Sequence, residues 1–315
     1  MKKLFVTLFI LSPLFILHAC GSSYTYDIVV SDYFTYDIVK QVTGDELTIK
    51  TLQPIHMDYH TYEPSSSDLV DLKKSDVFIY ISINSSPWLV SDDKVSNVLG
   101  KGTYTSFEVL LDLEVTHEEE TWHDHESETD HGDEDNHDDH DHGFDFISNP
   151  FYVATIVQNL SDYLGELYPE LKQIFDLNAH DYHDKLINLI TPYHDIREQL
   201  APLDVYFIGH NALNGFSKSF NLNLIALDEN VSPNTEATSS QVLAFVSALK
   251  NNGVTTIYTE EAPNPSTLNY IRAQIPNIEI LELHTFHKIS KEDYKNDIGY
   301  YELIGRNIKH LEMES

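Results

Sequence analysis

Short apolar runs alternate with amphipathic segments over the first part of the chain. Residues 26–31, 47–54 and 77–82 form runs of strand length that are rich in apolar and β-branched side chains. Residues 31–44 and 65–75 lie between these runs and have the spacing of helices. This β-α-β-α-β order predicts a parallel sheet with helices on both of its faces.

The same alternation returns in the second half of the chain. Runs of strand length occur there at residues 205–209, 223–227, 254–260 and 279–283. A helix is predicted to begin at the capping-box segment 238–241 and to end at Gly253, and a last helix lies near 293–312. The pattern therefore predicts an α/β protein with two lobes, each a parallel-type sheet flanked by helices.

A helical stretch separates the two halves. Residues 151–168 have the pattern of one amphipathic helix, and residues 178–201 that of a longer one. Pro192 lies within the longer segment and should kink or interrupt it. We predict that this long helix joins the lobes. The expected domains are an N-terminal lobe over 26–176, a linking helix over 177–202 and a C-terminal lobe over 203–315.

The N-terminus has the pattern of an export signal. Two lysines precede an apolar stretch over residues 4–17, which is short for a transmembrane helix and leads into the sequence LHAC. A leucine three residues before Cys20 and an alanine directly before it are typical of lipoprotein cleavage. We predict a signal peptide over 1–19, lipidation of Cys20 and a tether over 20–25; ordinary signal cleavage beside an unmodified cysteine is the alternative. Cys20 is the only cysteine, which excludes internal disulfides.

Residues 116–143 concentrate the acidic charge of the chain, whose 51 acidic and 19 basic residues give a formal net charge of −32. Such a surface repels nucleic acid and attracts cations, so we expect no nucleic-acid partner. The segment holds seven histidines, thirteen acidic residues and almost no apolar side chains, so we expect a mobile loop on the first lobe. Weak ligands on one tether can gather metal; a solvated insertion without a specific role is the alternative. The histidines are His117, His123, His125, His131, His137, His140 and His142.

Candidate metal ligands lie where the predicted strands end. His60 follows the second strand of the first half, and His210 ends the first strand of the second half. His284 and His287 both follow the last predicted strand, and Asp145 lies just after the His-rich segment. Open α/β sheets bind ligands beyond the carboxyl ends of their strands. These side chains, drawn from both halves, could therefore close on one ion in the cleft between the lobes.

Five segments carry a resemblance to a known family. They are HTYEPSSSD at 60–68, SNP at 148–150, GHNALNGFSKSFNL at 209–222, VSPNTEATSSQ at 231–241 and YYELIGRNIKHLEM at 300–313. In this order they resemble segments of the solute-binding lipoproteins of zinc and manganese ABC importers, whose zinc-specific members carry a His-rich loop. The resemblance covers most of the chain after the signal peptide.

The resemblance implies roles for individual residues. His60 and His210 stand where the family has its first and third metal ligands. The second ligand of the family is a histidine, but Asp145 occupies that position here. Either Asp145 supplies an oxygen ligand, which we favour, or the nearby His142 takes its place.

The fourth position completes the implied set. It varies within the family, and the alignment places His287 there, ahead of His284. The predicted metal ligands are therefore His60, Asp145, His210 and His287. Three imidazoles and one carboxylate suit tetrahedral Zn²⁺, whereas Mn²⁺ prefers more oxygen ligands; copper would also bind imidazole. Because ligating imidazoles must be neutral, metal affinity is expected to fall below about pH 6.

The function that the resemblance implies is metal capture. We expect an extracytoplasmic solute-binding lipoprotein, a monomer anchored to the cell membrane through Cys20, that delivers Zn²⁺ to the permease and ATPase of an ABC importer. A manganese-binding importer component and a surface adhesin of the same fold are the alternatives. A secreted metallohydrolase is disfavoured because the chain has no His-Glu-x-x-His or Gly-x-Ser-x-Gly segment. Four protein ligands would also leave no position for a catalytic water, so we expect no enzyme activity.

Overall fold

The computed structural model describes most of the chain between Tyr26 and Glu312. The described residues are 26–83, 85–86, 88–89, 98–99, 102–111, 146–210, 212–228, 237–261 and 263–312. Several predicted features lie outside them, namely the signal peptide, Cys20, Asp145 and the histidines of the acidic segment, His117, His123, His125, His131, His137, His140 and His142.

Four parallel strands form the sheet of the first lobe. They are β1 (Ile28–Val30), β2 (Ile49–Thr51), β3 (Val77–Tyr80) and β4 (Thr103–Ser106), in the order β2-β1-β3-β4. The apolar runs predict the first three strands correctly, but the hydrophobic pattern misses β4. Its sequence, TYTS, contains no aliphatic residue and begins with an exposed threonine, so pairing with β3 defines this strand.

The second lobe repeats this arrangement. Its strands are β5 (Leu203–Ile208), β6 (Leu222–Ala226), β7 (Thr256–Thr259) and β8 (Glu279–Glu282), all parallel, in the order β6-β5-β7-β8. In each sheet the second strand in chain order pairs with one side of the first strand, and the third and fourth strands lie on the other side of the first. Open α/β sheets bind ligands at this reversal of strand order, beyond the carboxyl ends of the strands. His210 follows β5 after one residue, Gly209, and therefore lies at this edge.

Helices surround the two sheets. They are α1 (Tyr33–Thr43), α2 (Ser66–Leu72), α3 (Phe107–Leu110), α4 (Pro150–Leu167), α5 (Lys172–Glu198), α6 (Asn214–Ser219), α7 (Ser239–Asn251), α8 (Pro265–Gln274), α9 (Lys291–Lys295) and α10 (Tyr300–Glu312). The predicted capping box at α7 is confirmed, since Thr238 and Gln241 each accept a hydrogen bond from the backbone of the other. Within the described part of the chain, no helix combines the length and apolar character needed to cross a membrane.

The linking helix α5 contains Pro192, and the expected interruption does not occur. Proline lacks an N–H group, so the carbonyl of Asn188 loses its regular partner within the helix. Leu186, Ile190 and Tyr193 around the proline are buried against neighbouring elements. This burial outweighs the lost hydrogen bond, and the helix continues past Pro192.

One face of each sheet packs into an apolar core that the two lobes share. Successive strand residues point to opposite faces, so Ile28 and Val30 of β1 join the shared core while Val29 joins a smaller cluster. In the second lobe, Phe207 of β5 joins the shared core and Ile208 a third cluster. The shared core also includes buried side chains of α1, α4, α5 and α10. Relative movement of the lobes would therefore disturb buried contacts.

Hydrogen bonds connect the lobes at several points. Tyr300, the first residue of α10, donates its backbone N–H to the Asp37 carboxylate of α1 at 2.7 Å. Its hydroxyl donates to the carbonyl of Ile147 at 2.8 Å. Nearer the predicted ligands, the backbone N–H of Ile289 donates to the carbonyl of Ile55 at 3.0 Å. The last bond holds the segment that carries His287 against the segment that carries His60.

Candidate metal centre

The segment after β2 places His60 in a 3-10 turn over Tyr59–Thr61. Asp58 caps this turn, because its Oδ1 atom accepts a hydrogen bond from the backbone N–H of His60 at 3.0 Å. The buried ring of Tyr59 lies against the imidazole, with ring centroids 4.5 Å apart. The cap fixes the backbone of His60 and the aromatic contact limits the positions of its ring.

The remainder of the HTYEPSSSD segment is held by Asp68. Its carboxylate accepts hydrogen bonds from the Tyr62 hydroxyl at 3.1 Å and from the backbone and hydroxyl of Ser65 at 3.0 and 2.7 Å. Partial burial opposes ionisation of Asp68, but the bonds from Ser65 and Tyr62 and the charge of Lys50 outweigh it and lower the pKa of this carboxyl. Hydrogen bonds to Asp58 at the start of this loop and to Asp68 at its end hold the loop in place, which keeps His60 at the edge of the first lobe.

The second lobe contributes His210 and His287, which are 6 % and 2 % exposed. The Nε2 atom of His210 lies 3.0 Å from Nδ1 of His287. On its other side, Nδ1 of His210 lies 2.6 Å from a carboxylate oxygen of Glu260, which follows β7. His287 also contacts Tyr59 of the first lobe, with ring centroids 4.7 Å apart.

Four side chains from the two lobes converge at this point. Asp58 Oδ2 lies 3.8 Å from His287 Nδ1, and ligand atoms of Asp58, His60 and His287 all lie within 4.8 Å of one another. His210 joins them through its 3.0 Å contact with His287. Two ligand atoms bound to one tetrahedral zinc ion at roughly 2.0–2.1 Å would be about 3.3 Å apart. The separations of 3.0 and 3.8 Å at Nδ1 of His287 lie on either side of this value. The mutually close ligand atoms are those of Asp58, His60 and His287, so His210 would have to move closer to the other members to share one ion.

The protonation state of His60 favours metal binding. Burial, and then the neighbouring imidazoles of His287 and His210, lower the pKa of His60 to about 3. The ring is therefore neutral, as a ligand must be, over a wider pH range than an exposed imidazole. Proton competition at this nitrogen should accordingly begin well below the pH of about 6 that the sequence suggests.

His284 lies near this cluster but belongs to different surroundings. Its ring packs against Phe34 and Phe286 at centroid distances of 5.6 and 5.2 Å, and its Nδ1 atom lies 2.8 Å from Glu261. Burial opposes ionisation of Glu261, but His284 and the backbone N–H of Thr285 outweigh it and hold the pKa of Glu261 at about 2. The structure thus places His284 in an aromatic pocket with a buried carboxylate, apart from the three converging imidazoles.

The sequence-based ligand prediction can be compared with this geometry for three residues. The structure brings His60, His210 and His287 together, while Asp145 and His142 lie outside the described residues. Sequence reasoning did not single out Asp58 or Glu260. In the sequence, the only feature that points to Asp58 as a ligand is its position two residues before His60. Glu260 could have been found, because it ends a predicted strand at the same edge of the sheet as His210.

The fold and the site together define a two-lobed α/β protein with a cluster of histidines and carboxylates between its lobes. The family model described as "Zinc-uptake complex component A periplasmic" (ZnuA) matches residues 28–313. The chain belongs to this family.

Relatives support this assignment over nearly the whole chain. The "Zinc-binding lipoprotein AdcA" of Streptococcus pneumoniae (strain R6) is 26 % identical over 317 residues, which cover 99 % of this chain and 60 % of AdcA. The "High-affinity zinc uptake system protein ZnuA" of Bacillus subtilis (strain 168) is 25 % identical over 324 residues, covering 99 % of this chain and 98 % of that protein. The chain thus spans about 60 % of the length of AdcA and nearly all of the Bacillus protein.

Solved structures confirm the predicted fold class. The Zn(II)-bound ZnuA-like domain of Streptococcus pneumoniae AdcA superposes with a TM-score of 0.72 at 22 % identity, covering 92 % of this chain and 98 % of the domain. A mutant structure of the laminin-binding adhesin Lmb of Streptococcus agalactiae superposes with a TM-score of 0.70 at 19 % identity, covering 92 % and 99 %. At these identities the likeness establishes the two-lobed fold alone.

Proposed function

We propose that this chain is an extracytoplasmic solute-binding lipoprotein that captures Zn²⁺ between its lobes and delivers it to the permease of an ABC importer. Membership of the zinc-uptake family and the zinc-binding names of its relatives support this function. Lipid on Cys20 would hold a monomer at the extracytoplasmic face of the cell membrane. In this proposal the permease and its ATPase are the partners, and the ion is cargo.

The observation that carries the proposal is the convergence of imidazoles from both lobes. His60 comes from the first lobe and His210 and His287 from the second, and each of the outer rings has its centroid 4.9 Å from that of His287. Clustered imidazoles with carboxylates beside them form the donor set that Zn²⁺ takes in proteins. Mn²⁺ would favour more oxygen ligands than this cluster offers.

The oxygen ligand of the proposed site comes from one of two carboxylates. Asp58 is supported by its 3.8 Å approach to His287, and Asp145 by its place in the sequence alignment, with His142 as its substitute. Either carboxylate would complete a set of four protein ligands. Such a closed set leaves no open coordination position for a substrate or catalytic water, which supports carriage of the ion over catalysis.

We further propose that the His-rich segment gathers zinc for the cleft. Its seven histidines and thirteen acidic residues would bind the ion weakly and raise its local concentration. Deleting residues 117–142 should lower zinc uptake when zinc is scarce and leave the affinity of the cleft unchanged. Unchanged uptake by the deletion variant would contradict the gathering role.

Competition titration of purified protein with a zinc chelator tests the proposed function. The parent protein for this test lacks residues 117–142, and we expect it to bind one zinc ion tightly. In this parent, His60→Ala, His210→Ala and His287→Ala should each cause a large loss of affinity. His183→Ala, a variant on the linking helix, is the matched control and should bind like the parent protein. Equal affinity in all five proteins would contradict the assignment of the cleft as the zinc site.

A further inference from the structure

We propose that Glu260 is a positioning residue of the metal centre, which fixes the tautomer of His210 so that its Nε2 lone pair faces the ion. This inference rests on the proposed zinc-binding function and deepens it. Its first support is the 2.6 Å contact between Nδ1 of His210 and a carboxylate oxygen of Glu260. A carboxylate accepts hydrogen bonds, so in a neutral His210, the form that a metal requires, this contact places the proton on Nδ1 and leaves the lone pair on Nε2.

The backbone holds the two side chains in this arrangement. His210 follows β5 and Glu260 follows β7, and these strands are paired neighbours in the sheet. The backbone N–H of Glu260 donates to the carbonyl of Ile208 at 3.2 Å, which extends the pairing to the end of both strands. The carboxylate therefore stands beside the imidazole on a rigid edge, as a second group that orients a metal ligand requires.

Gly209 provides an independent sign of the same arrangement. A Cβ atom at this position would lie 2.9 Å from a carboxylate oxygen of Glu260 and 2.7 Å from the ring of Phe207. A side chain here would therefore force the Glu260 carboxylate away from its present place. The absence of a side chain between β5 and His210 is what lets the carboxylate reach Nδ1.

The consequence reaches the other imidazole of the second lobe. In this tautomer of His210, the 3.0 Å contact with His287 would be a hydrogen bond in which Nδ1–H of His287 donates. Glu260, His210 and His287 thus form one directed chain in the metal-free protein. An ion bound here would take the place of the last hydrogen bond, with the proton on Nδ1 of His287 moving to Nε2 of the same ring or to solvent, and the contact between Glu260 and His210 would stay in place.

Glu260 lies outside the hydrophobic core, so replacing it should leave no buried cavity. Its side chain is 25 % exposed, and it lines a cavity of about 540 Å³ together with His210, Asp228 and the first residues of α7 and α8. The isosteric change Glu260→Gln keeps the volume and removes the charge, while Glu260→Asp keeps the charge and shortens the reach. Glu279→Gln is a matched control, since it removes an exposed carboxylate at the opposite end of the parallel sheet.

The test measures zinc affinity and the His210 tautomer in the same set of full-length variants. Nitrogen NMR of the metal-free protein, assigned by comparison with His210→Ala, reports which ring nitrogen carries the proton. We expect Glu260→Gln to weaken zinc binding by roughly 10–100-fold and to move part of the His210 population to the Nε2–H tautomer. Glu260→Asp should keep part of the zinc affinity and part of the Nδ1–H population of His210. Gly209→Ala should resemble Glu260→Gln in both measurements, and Glu279→Gln should match the wild type.

Two results would overturn the inference. The first is wild-type affinity in Glu260→Gln, and the second is a loss of affinity with the proton of His210 still on Nδ1, which would assign the effect to charge alone. Both presuppose that the wild type binds zinc. A wild type that binds none would instead remove the proposed function, so the two failures are distinguishable.

Discussion

At the scale of single residues, the site depends on which carboxylate completes the three imidazoles. Asp58 reaches the cluster with one oxygen while the other caps the turn that carries His60. We expect Asp58→Asn to weaken zinc binding at least about tenfold, equivalent to about 1.4 kcal/mol, because a neutral amide replaces a charged ligand. Chelator competition measures the change.

The matched control for this variant is Asp181→Asn, an exposed position on the linking helix that should leave affinity unchanged. Asp145→Asn belongs in the same series. Full affinity in Asp58→Asn together with weak binding in Asp145→Asn would show that the sequence alignment, and not the contact with His287, identifies the oxygen ligand.

His60 should also make the metal-free protein sensitive to acid. Its pKa is about 3 in the folded protein, lowered by burial and by His287 and His210, against an ordinary value of 6.5. Between these values the unfolded chain binds a proton that the folded protein does not, so stability falls as the pH drops from about 6.5 towards 3. In His60→Gln this contribution is absent.

We therefore expect a shallower fall of Tm between pH 7 and pH 4 in His60→Gln than in the wild type, with a chelator present throughout. His183→Gln is the control, since His183 lies on the linking helix, outside the cluster. Parallel curves for the wild type and His60→Gln would show that the burial of a neutral imidazole at this position has no effect on folding.

At the scale of elements, the first and last helices of the described chain are joined by one cap. Asp37 of α1 accepts the backbone N–H of Tyr300 at 2.7 Å, and a Cβ atom on Gly299 would lie 2.6 Å from the same carboxylate. Removing the acceptor leaves a buried N–H at the start of α10 without its partner. We expect Asp37→Ala to lower the free energy of unfolding by about 1–2 kcal/mol, measured in urea.

Gly299→Ala should destabilise the protein in the same direction, because the added methyl group displaces the carboxylate. Asp181→Ala, on an exposed face of α5, should have little effect. Wild-type midpoints in both Asp37→Ala and Gly299→Ala would contradict the role of this cap in joining the lobes.

The hydrophobic pattern predicts strands best where both faces of the strand are buried. All four residues of β3, Val77–Tyr80, are buried, and such runs stand out in a sequence. The edge strand β4 lacks this signal, since threonine and serine supply three of its residues. Pro192 is predicted to kink or interrupt its helix, and of the two the interruption does not occur, because residues around the proline are buried.

The rule that ligands follow strand ends identifies His60, His210 and His287 but cannot rank residues within one loop. His284 and His287 follow the same strand, so this rule alone does not separate them; only the family resemblance places His287 ahead. In the structure Phe286 adopts a φ of 67°, a conformation that bulky residues rarely take, and the chain turns there. Only the folded loop shows that His287 contacts His210 while His284 packs against Phe34.

At the scale of the whole molecule, the continuous core should keep the lobes nearly fixed. The apolar cluster runs from β1 through the linking helix to α10, and hydrogen bonds cross between the lobes beside the site. We expect zinc to change the radius of gyration in X-ray scattering by about 1 Å or less, as in other preorganised complexes. A contraction of several ångströms would indicate a hinged clamp.

The central claim is that imidazoles of both lobes hold one zinc ion. Anomalous diffraction at the zinc edge tests it most directly, with crystals of the protein lacking residues 117–142 and one equivalent of Zn²⁺. The account predicts one strong peak at roughly 2.0–2.2 Å from ring nitrogens of His60, His210 and His287. A peak bound within a single lobe, or none between the lobes, would contradict it.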